Sequence, residues 1–308
     1  MWSDEFAQPD ASAPNSSKWN YDVGGDGWGN AQLQYHTYDR RKNARIENGC
    51  LVIEAHRESY KVGNQTWDYT SARLKTQDKA NWTYGRFEAR VRLPRGQGFW
   101  PAFWMLGANF TSVGWPACGE IDIMENIGRE PARVHGSAHG PGFSGSDSKT
   151  RSYTLSDGTY FADQFHLFAV EWEPGVVRWS VDNRIYFSLT PASLAPDESW
   201  VFDHPFFIIV NLAVGGSWPG APDASTVFPQ RLTVDYVRVY ARTAAPAPAL
   251  LIEAGADQVQ VSWSSAFPHA RLQRAEALGS SWLDVPITGV IEQNHFLTTV
   301  APGMFRLR

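Results

Sequence analysis

Apolar and polar positions alternate with period two through most of the chain. In RFEARVRLP, Phe87, Ala89, Val91 and Leu93 fall on one face, and Arg86, Glu88, Arg90 and Arg92 on the other. That pattern predicts a half-buried antiparallel strand. FAVEWEPGVVRWSVDNRIYFSL reads as three such strands joined at Glu173-Pro174-Gly175 and Asp182-Asn183, both of which carry hairpin-turn chemistry. FFIIVNLAV, from Phe206, is apolar without alternation and suits a strand buried on both faces. No amphipathic helical stretch of useful length interrupts the series. Many short strands punctuated by Gly, Pro, Asn and Asp predict an all-β two-sheet sandwich or jelly roll. The last strand of this body, TVDYVRVYA, ends near Ala241, so the body is placed at residues 1–242. The Ala/Pro stretch 243–249 has the extended, semi-rigid character of a linker. Alternation resumes in QVQVSW and FLTTV, and residues 250–308 are expected to form a small separate β module.

Composition narrows the function. Fourteen Trp against four Met is an unusual weight of indole, and several Trp stand beside Gly, Pro and Asn in loop-like segments. That placement favours platforms for flat ligands over a purely structural use. A net charge of −5 argues against nucleic acid or an anionic membrane surface as partner. No apolar run is long enough to span a bilayer. The chain opens with Met1-Trp2-Ser3 directly into domain-like sequence, so any signal peptide is absent from it. Cys50 and Cys118 allow at most one disulfide, and their apolar surroundings predict two free thiols. Sequons begin at Asn15, Asn64, Asn81 and Asn109, a pattern too short to carry weight alone.

The candidate chemistry lies in CGEIDIMENIGR, where Glu120, Asp122 and Glu125 fall within six positions. On a regular strand Glu120 and Asp122 share a face and Glu125 points to the other. One extra residue, a β-bulge at Ile123 or Met124, would return Glu125 to the common face. The two glutamates would then be about 13 Å apart at Cα, and inclined side chains close that toward the roughly 5 Å carboxyl separation of a retaining glycosidase. Carboxyls so crowded cannot all ionise cheaply, which separates a general acid from a nucleophile. A solvated acidic face fits poorly with the apolar interleaving, and no His or Cys spacing suggests a transition metal. Strand parity puts Trp100 on the side of Trp104.

GEIDIMENIG resembles the ExDxxE signature of glycoside hydrolase family 16, in its bulged laminarinase-like branch rather than the unbulged ExDxE branch. The resemblance runs from Trp2 to Tyr240 through WSDEF, GWGNAQLQYHT, SARLKT, YGRFEARVRLPRGQGFWPAFWML, HGSAHG, NLAVGGSWPG and FPQRLTVDYVRVY. It implies a concanavalin-like β-jelly roll for that body, the concave sheet forming a cleft for β-glucan, so that the whole chain is expected to be this all-β sandwich with a small C-terminal β module. It also implies Glu120 as nucleophile, Glu125 as acid/base and Asp122 between them. Trp104 and Trp115 would stack on sugars flanking the scissile bond, with Trp100 beside them. Asn30 and Arg73 would hydrogen-bond sugars, His139 would lie near the glutamates, and Trp218 would shape one cleft end. A structural Ca2+ is implied at Glu5, Gly49 (through its carbonyl) and Asp235, with no cofactor for the chemistry. The expected activity is retaining endo-hydrolysis of β-1,3-glucan, extending to mixed-linkage β-1,3/1,4-glucan, by a secreted monomer. An agarase-like galactan hydrolase and a carbohydrate-binding lectin are the alternatives. The WPAFWML and VGWPACGEIDIME blocks look more like laminarinases, and a lectin would have lost one of the carboxylates.

Overall fold

The alternating segments fold into strands, in chain order β1 (Trp2–Asp4), β2 (Asn20–Tyr21), β3 (Gln34–His36), β4 (Ala44–Glu47), β5 (Cys50–Val62), β6 (Gln65–Ser71), β7 (Arg73–Lys75), β8 (Gly85–Arg92), β9 (Phe99–Gly107), β10 (Glu120–Glu125), β11 (Arg133–His139), β12 (Lys149–Thr154), β13 (His166–Glu173), β14 (Val176–Val181), β15 (Arg184–Leu189), β16 (Phe206–Val214) and β17 (Gln230–Tyr240). This computed structural model describes residues 1–241 and, beyond them, 251–254, 259–264, 272–276, 281, 283–285, 291–292, 295–300 and 304–307. One α-turn, Phe110–Val113, is the only α-helix among the described residues, and no helix there is long and apolar enough to cross a membrane. By its internal contacts the chain divides into two compact units, Met1–Ala241 and Arg242–Arg308.

Two large sheets make up the first unit. One runs β15-β14-β13-β8-β17-β5-β6-β3, with β1 alongside β17 and β4 alongside β5. The other runs β12-β11-β10-β9-β16-β7-β2 and carries the candidate site. The space between them is filled from both sides: Phe103, Met105, Ile121 and Val210 from the second sheet meet Phe87, Val170, Trp172 and Trp179 from the first, all at 0–1 % exposure. The alternation in β8 is as expected, with Phe87, Ala89 and Val91 buried. All nine residues of β16 are buried. Asp182 and Asn183 both take positive φ, 48° and 63°, the geometry of the tight hairpin that Asp and Asn tolerate. Cys50 and Cys118 are free thiols.

Two features depart from a simple antiparallel reading. β3 pairs with β6 in parallel, and β5 extends over 13 residues, pairing with β17 and β4 through its first part and with β6 through its second. In the second unit, Leu251–Ala254, Val259–Ser264, His295–Val300 and Ile291–Glu292 form one sheet, and Leu272–Ala275, Leu283–Asp284 and Met304–Leu307 another. The expected linker 243–249, Trp282 and the side chain of Trp263 lie outside the described residues.

Candidate active site

The opening misfit of Glu125 is resolved in the register of β10. Against β9, Glu120 pairs with Leu106, Asp122 with Trp104, Met124 with Phe103 and Glu125 with Ala102. Against β11, the partners of Glu120, Asp122 and Glu125 are His139, Ser137 and His135. Five steps along β10 thus match four on each neighbour, and the extra residue lies between Asp122 and Met124, a β-bulge at Ile123. Ile121, Ile123 and Met124 all enter the core. Glu120, Asp122 and Glu125 are left together on the outer face with His139, Ser137 and His135.

An indole donor holds each glutamate. Trp115 Nε1 donates to Glu120 Oε2 at 2.7 Å, and Trp100 Nε1 donates to Glu125 Oε1 at 2.9 Å. Gly145 N–H donates to His139 Nδ1 at 3.2 Å, which leaves Nε2 as the ring's hydrogen-bond donor. That nitrogen lies 3.0 Å from Asp122 Oδ2 and 3.9 Å from Glu120 Oε1.

Burial and mutual repulsion push all three carboxyls up. Glu120 rises to about 8, through burial first and then the charge of Asp122, against the opposing effect of His139 and Trp115. Glu125 rises to about 7 through burial and the charge of Glu120, moderated by His139 and Trp100. Asp122, 2 % exposed, is held well above the usual carboxylate range by burial and the charge of Glu125. Near neutral pH the cluster therefore holds protons that isolated carboxyls would have released.

The walls are aromatic. Trp115, 46 % exposed, closes the Glu120 end. At the Glu125 end the Trp218 ring meets Trp100 edge-on at 5.5 Å and His135 at 4.9 Å. Asn30 is exposed, and its carbonyl accepts Ser217 N–H at 2.8 Å, tying its loop to the one that bears Trp218. Between them sits Gly216 at φ +128°, where an added Cβ would lie 3.2 Å from both Asn30 O and the Trp100 ring. Across the sheet, the Trp104 indole donates to Asn211 Oδ1 at 2.7 Å. Arg73 lies between Trp28 and Trp104, its guanidinium 4.7 and 4.8 Å from their centroids. Asp22 fixes it at 2.9 Å through Nε, and Lys75 binds the other oxygen of Asp22 at 2.5 Å.

Sequence reasoning missed Trp28, His135 and Asn211. Signals for two of them were present: alternation in RVHGSAH puts His135 on the face of His139, and Asn211 is the lone amide in an apolar strand. Glu5, Gly49 and Asp235 lie apart from this site. β17 pairs along one edge with β5 up to Val234↔Leu51 and then with β1 from Asp4↔Val237. Asp235 falls at that junction, where its charge also helps raise the Cys50 thiol. Glu5 directly follows β1 and Gly49 directly precedes β5, so by register both lie near this junction, and their oxygen donors are of the kind that suits a hard cation. Each carboxylate has an arginine partner: Arg238 on Glu5 at 2.8 Å and Arg90 on Asp235 at 2.7 Å.

Buried, proton-sharing carboxyls flanked by indoles on the open face of a β-sandwich define a glycosidase cleft. The chain belongs to family 16 of the glycosyl hydrolases, whose model matches residues 31–238. It is 47 % identical over 247 residues to a beta-glucanase of Rhodothermus marinus, covering 78 % of this chain and 84 % of the relative. It is 38 % identical to glucan endo-1,3-beta-glucosidase A1 of Niallia circulans, covering 78 % of this chain but 37 % of that longer protein. The solved endo-beta-1,3-glucanase of Pyrococcus furiosus superposes with a TM-score of 0.75 at 49 % identity, over 78 % of this chain and 93 % of its own.

Proposed function

We propose that the protein is a retaining endo-β-1,3-glucanase that also accepts mixed-linkage β-1,3/1,4-glucan. The observation that carries this reading is the bulge, because it brings Glu120 and Glu125 onto one face with Asp122 between them. In the first step Glu125 gives its proton to the departing glycosidic oxygen while Glu120 attacks the anomeric carbon and forms a glycosyl ester. In the second, Glu125 as carboxylate takes a proton from water, whose oxygen displaces Glu120. Asp122 shares a hydrogen bond with Glu120 and tunes its proton affinity without attacking. The first step needs the anion at Glu120 and the proton at Glu125; the Trp115 N–H and the nearby Arg73 act toward that distribution, against the burial and Asp122 charge that raise Glu120 to about 8, and the cluster titrates as a unit. Trp104, Trp115 and Trp218 present faces suited to the apolar C–H side of a pyranose. Asn30, Arg73 and His139 offer hydrogen bonds to its hydroxyls. The identity to beta-glucanases supports this substrate class.

Product analysis on laminarin, mixed-linkage glucan and agarose tests the reading. Wild-type protein releases oligosaccharides from the first two with retention of configuration, and Glu120→Gln loses at least about 10³-fold in rate. Wild-type-like rates in that variant, or cleavage of agarose alone, sink the proposal. The chemistry needs no cofactor. A calcium ion at Glu5, Gly49 and Asp235 is proposed as a structural ligand only, supported by register: Glu5 follows β1 and Gly49 precedes β5, the two strands that pair with β17 on either side of Asp235. Secretion and a monomeric state belong to the same reading, since an intact polysaccharide is met outside the cell.

A further inference from the structure

In a regular strand, backbone carbonyls lie in the plane of the sheet and are spent on neighbouring strands. The carbonyl of Asp122 is different. It accepts a hydrogen bond at 2.8 Å from Trp179 Nε1, an indole on β14 of the opposite sheet, 57 residues away in sequence. A side chain from the facing layer reaches this oxygen because the peptide after Asp122 is turned toward the interior, at the place where the β10 register breaks. The same turn carries both Ile123 and Met124 inward and returns Glu125 to the cleft.

The opposite sheet is shaped to meet it. Trp179 is fully buried and stacks on Phe187 at 4.5 Å. Its pairing with β15 has its own break: Trp179 pairs with Phe187 and Ser180 with Ile185, which makes Tyr186 the extra residue. Two register breaks, one in each sheet, therefore face each other across the Trp179 ring. On β11 the facing residue is Gly136, where any Cβ would collide with the Trp179 ring and the Tyr186 hydroxyl.

We propose that Trp179 is a positioning residue for glycoside hydrolysis: its indole N–H holds the bulged peptide of Asp122 and so sets the placement of Glu125 relative to Glu120. It touches no substrate and acts from beneath the catalytic sheet. The separation of the two carboxyls decides whether the displacement is productive, and a shift on the order of 1 Å costs about 10²-fold. This inference rests on the glucanase reading.

The test removes the N–H and keeps the ring. Incorporating 3-benzothienylalanine at position 179, a near-isostere with sulfur in place of N–H, keeps the fold. It lowers kcat on laminarin about tenfold, leaves KM within twofold and moves the basic limb of the pH–rate profile. Trp179→Phe does the same at some cost in melting temperature. Trp179→His, whose Nε2 can occupy the position of the indole nitrogen after a ring flip, melts lower than Trp179→Phe yet is the faster enzyme. Trp172→Phe is the matched control, since that equally buried indole donates to Phe202 O at 3.0 Å, outside the site. It loses melting temperature while kcat and pH profile stay as in the wild type. An isostere as fast as wild type, or rates that simply follow melting temperature across the four variants, overturns the proposal. Inactive wild-type protein would instead overturn the glucanase reading itself.

Discussion

Glu125 accepts an indole N–H from Trp100 at 2.9 Å, yet burial and the charge of Glu120 outweigh that bond and carry its carboxyl to about 7. Between the ordinary carboxylate value of 4.5 and about 7, the folded chain keeps a proton that the unfolded chain has released. Stability must therefore fall as pH rises through that window, and it is fully present only below it. Glu125→Gln removes this titration. The variant is expected to gain stability over wild type as pH goes from 4.5 to 8, by up to about 3 kcal/mol at the upper end. Calorimetric melting of both proteins across that range checks it, and a difference independent of pH would refute it. The same proton is the one the mechanism transfers. The wild-type kcat/KM on laminarin should then show a basic limb near 7, an apparent value that belongs to the cluster and not to Glu125 alone. Function and stability pull against each other at this residue, as they do wherever a fold keeps an ionisable group out of water.

At the scale of the strand, parity is what the bulge manipulates, and deletions can test it. Removing Ile123 from EIDIME leaves EIDME, in which the final glutamate again falls two steps beyond Asp122 on the same face. That variant should lose about 2–5 kcal/mol for its buried isoleucine and still hydrolyse laminarin, at about a hundredth of the wild-type rate or better. Removing the equally buried Ile121 sets Glu120 directly beside Asp122 and puts them on opposite faces, so activity should vanish. If both deletions were folded and equally inactive, the parity argument would fail. Much of this element was legible beforehand, because Glu125 visibly breaks the alternation of its own strand, and Phe87, Ala89 and Val91 declare their buried face as plainly. Trp179 was not legible. Its part is played across the interior against a carbonyl, and neither the periodicity of VRWSV nor any spacing to GEIDIME marks the partner. The sandwiching of Arg73 by Trp28 and the parallel pairing of β3 with β6 were hidden for the same reason, being contacts between segments whose local patterns are silent about each other.

At the scale of the molecule, the arrangement separates chemistry from support. The proposed calcium position lies at the junction of β1 and β5 along β17, in the sheet opposite the cleft sheet, so a cation there would lock the first strand to the last. Calcium should raise the melting temperature and chelator lower it. Asp235→Ala should abolish the response with kcat unchanged, and a melting curve indifferent to both additions would end that proposal. The second unit calls for a different experiment. Every side chain of the candidate site, from Asp22 to Trp218, comes from the unit Met1–Ala241. The Pyrococcus furiosus structure is covered over 93 % of its own length by 78 % of this chain, so that relative has little to match the remainder. A chain ending at Arg242 should accordingly keep its kcat and KM on soluble laminarin within twofold, and its cleft unit should melt as before. A substantial loss on the soluble substrate would mean that the second unit completes or braces the cleft. With soluble activity preserved, sedimentation with insoluble β-1,3-glucan isolates what that unit adds. Retention by the full chain but not the shortened one would mark it as a polysaccharide-binding module, whereas equal retention would leave the cleft as the seat of affinity.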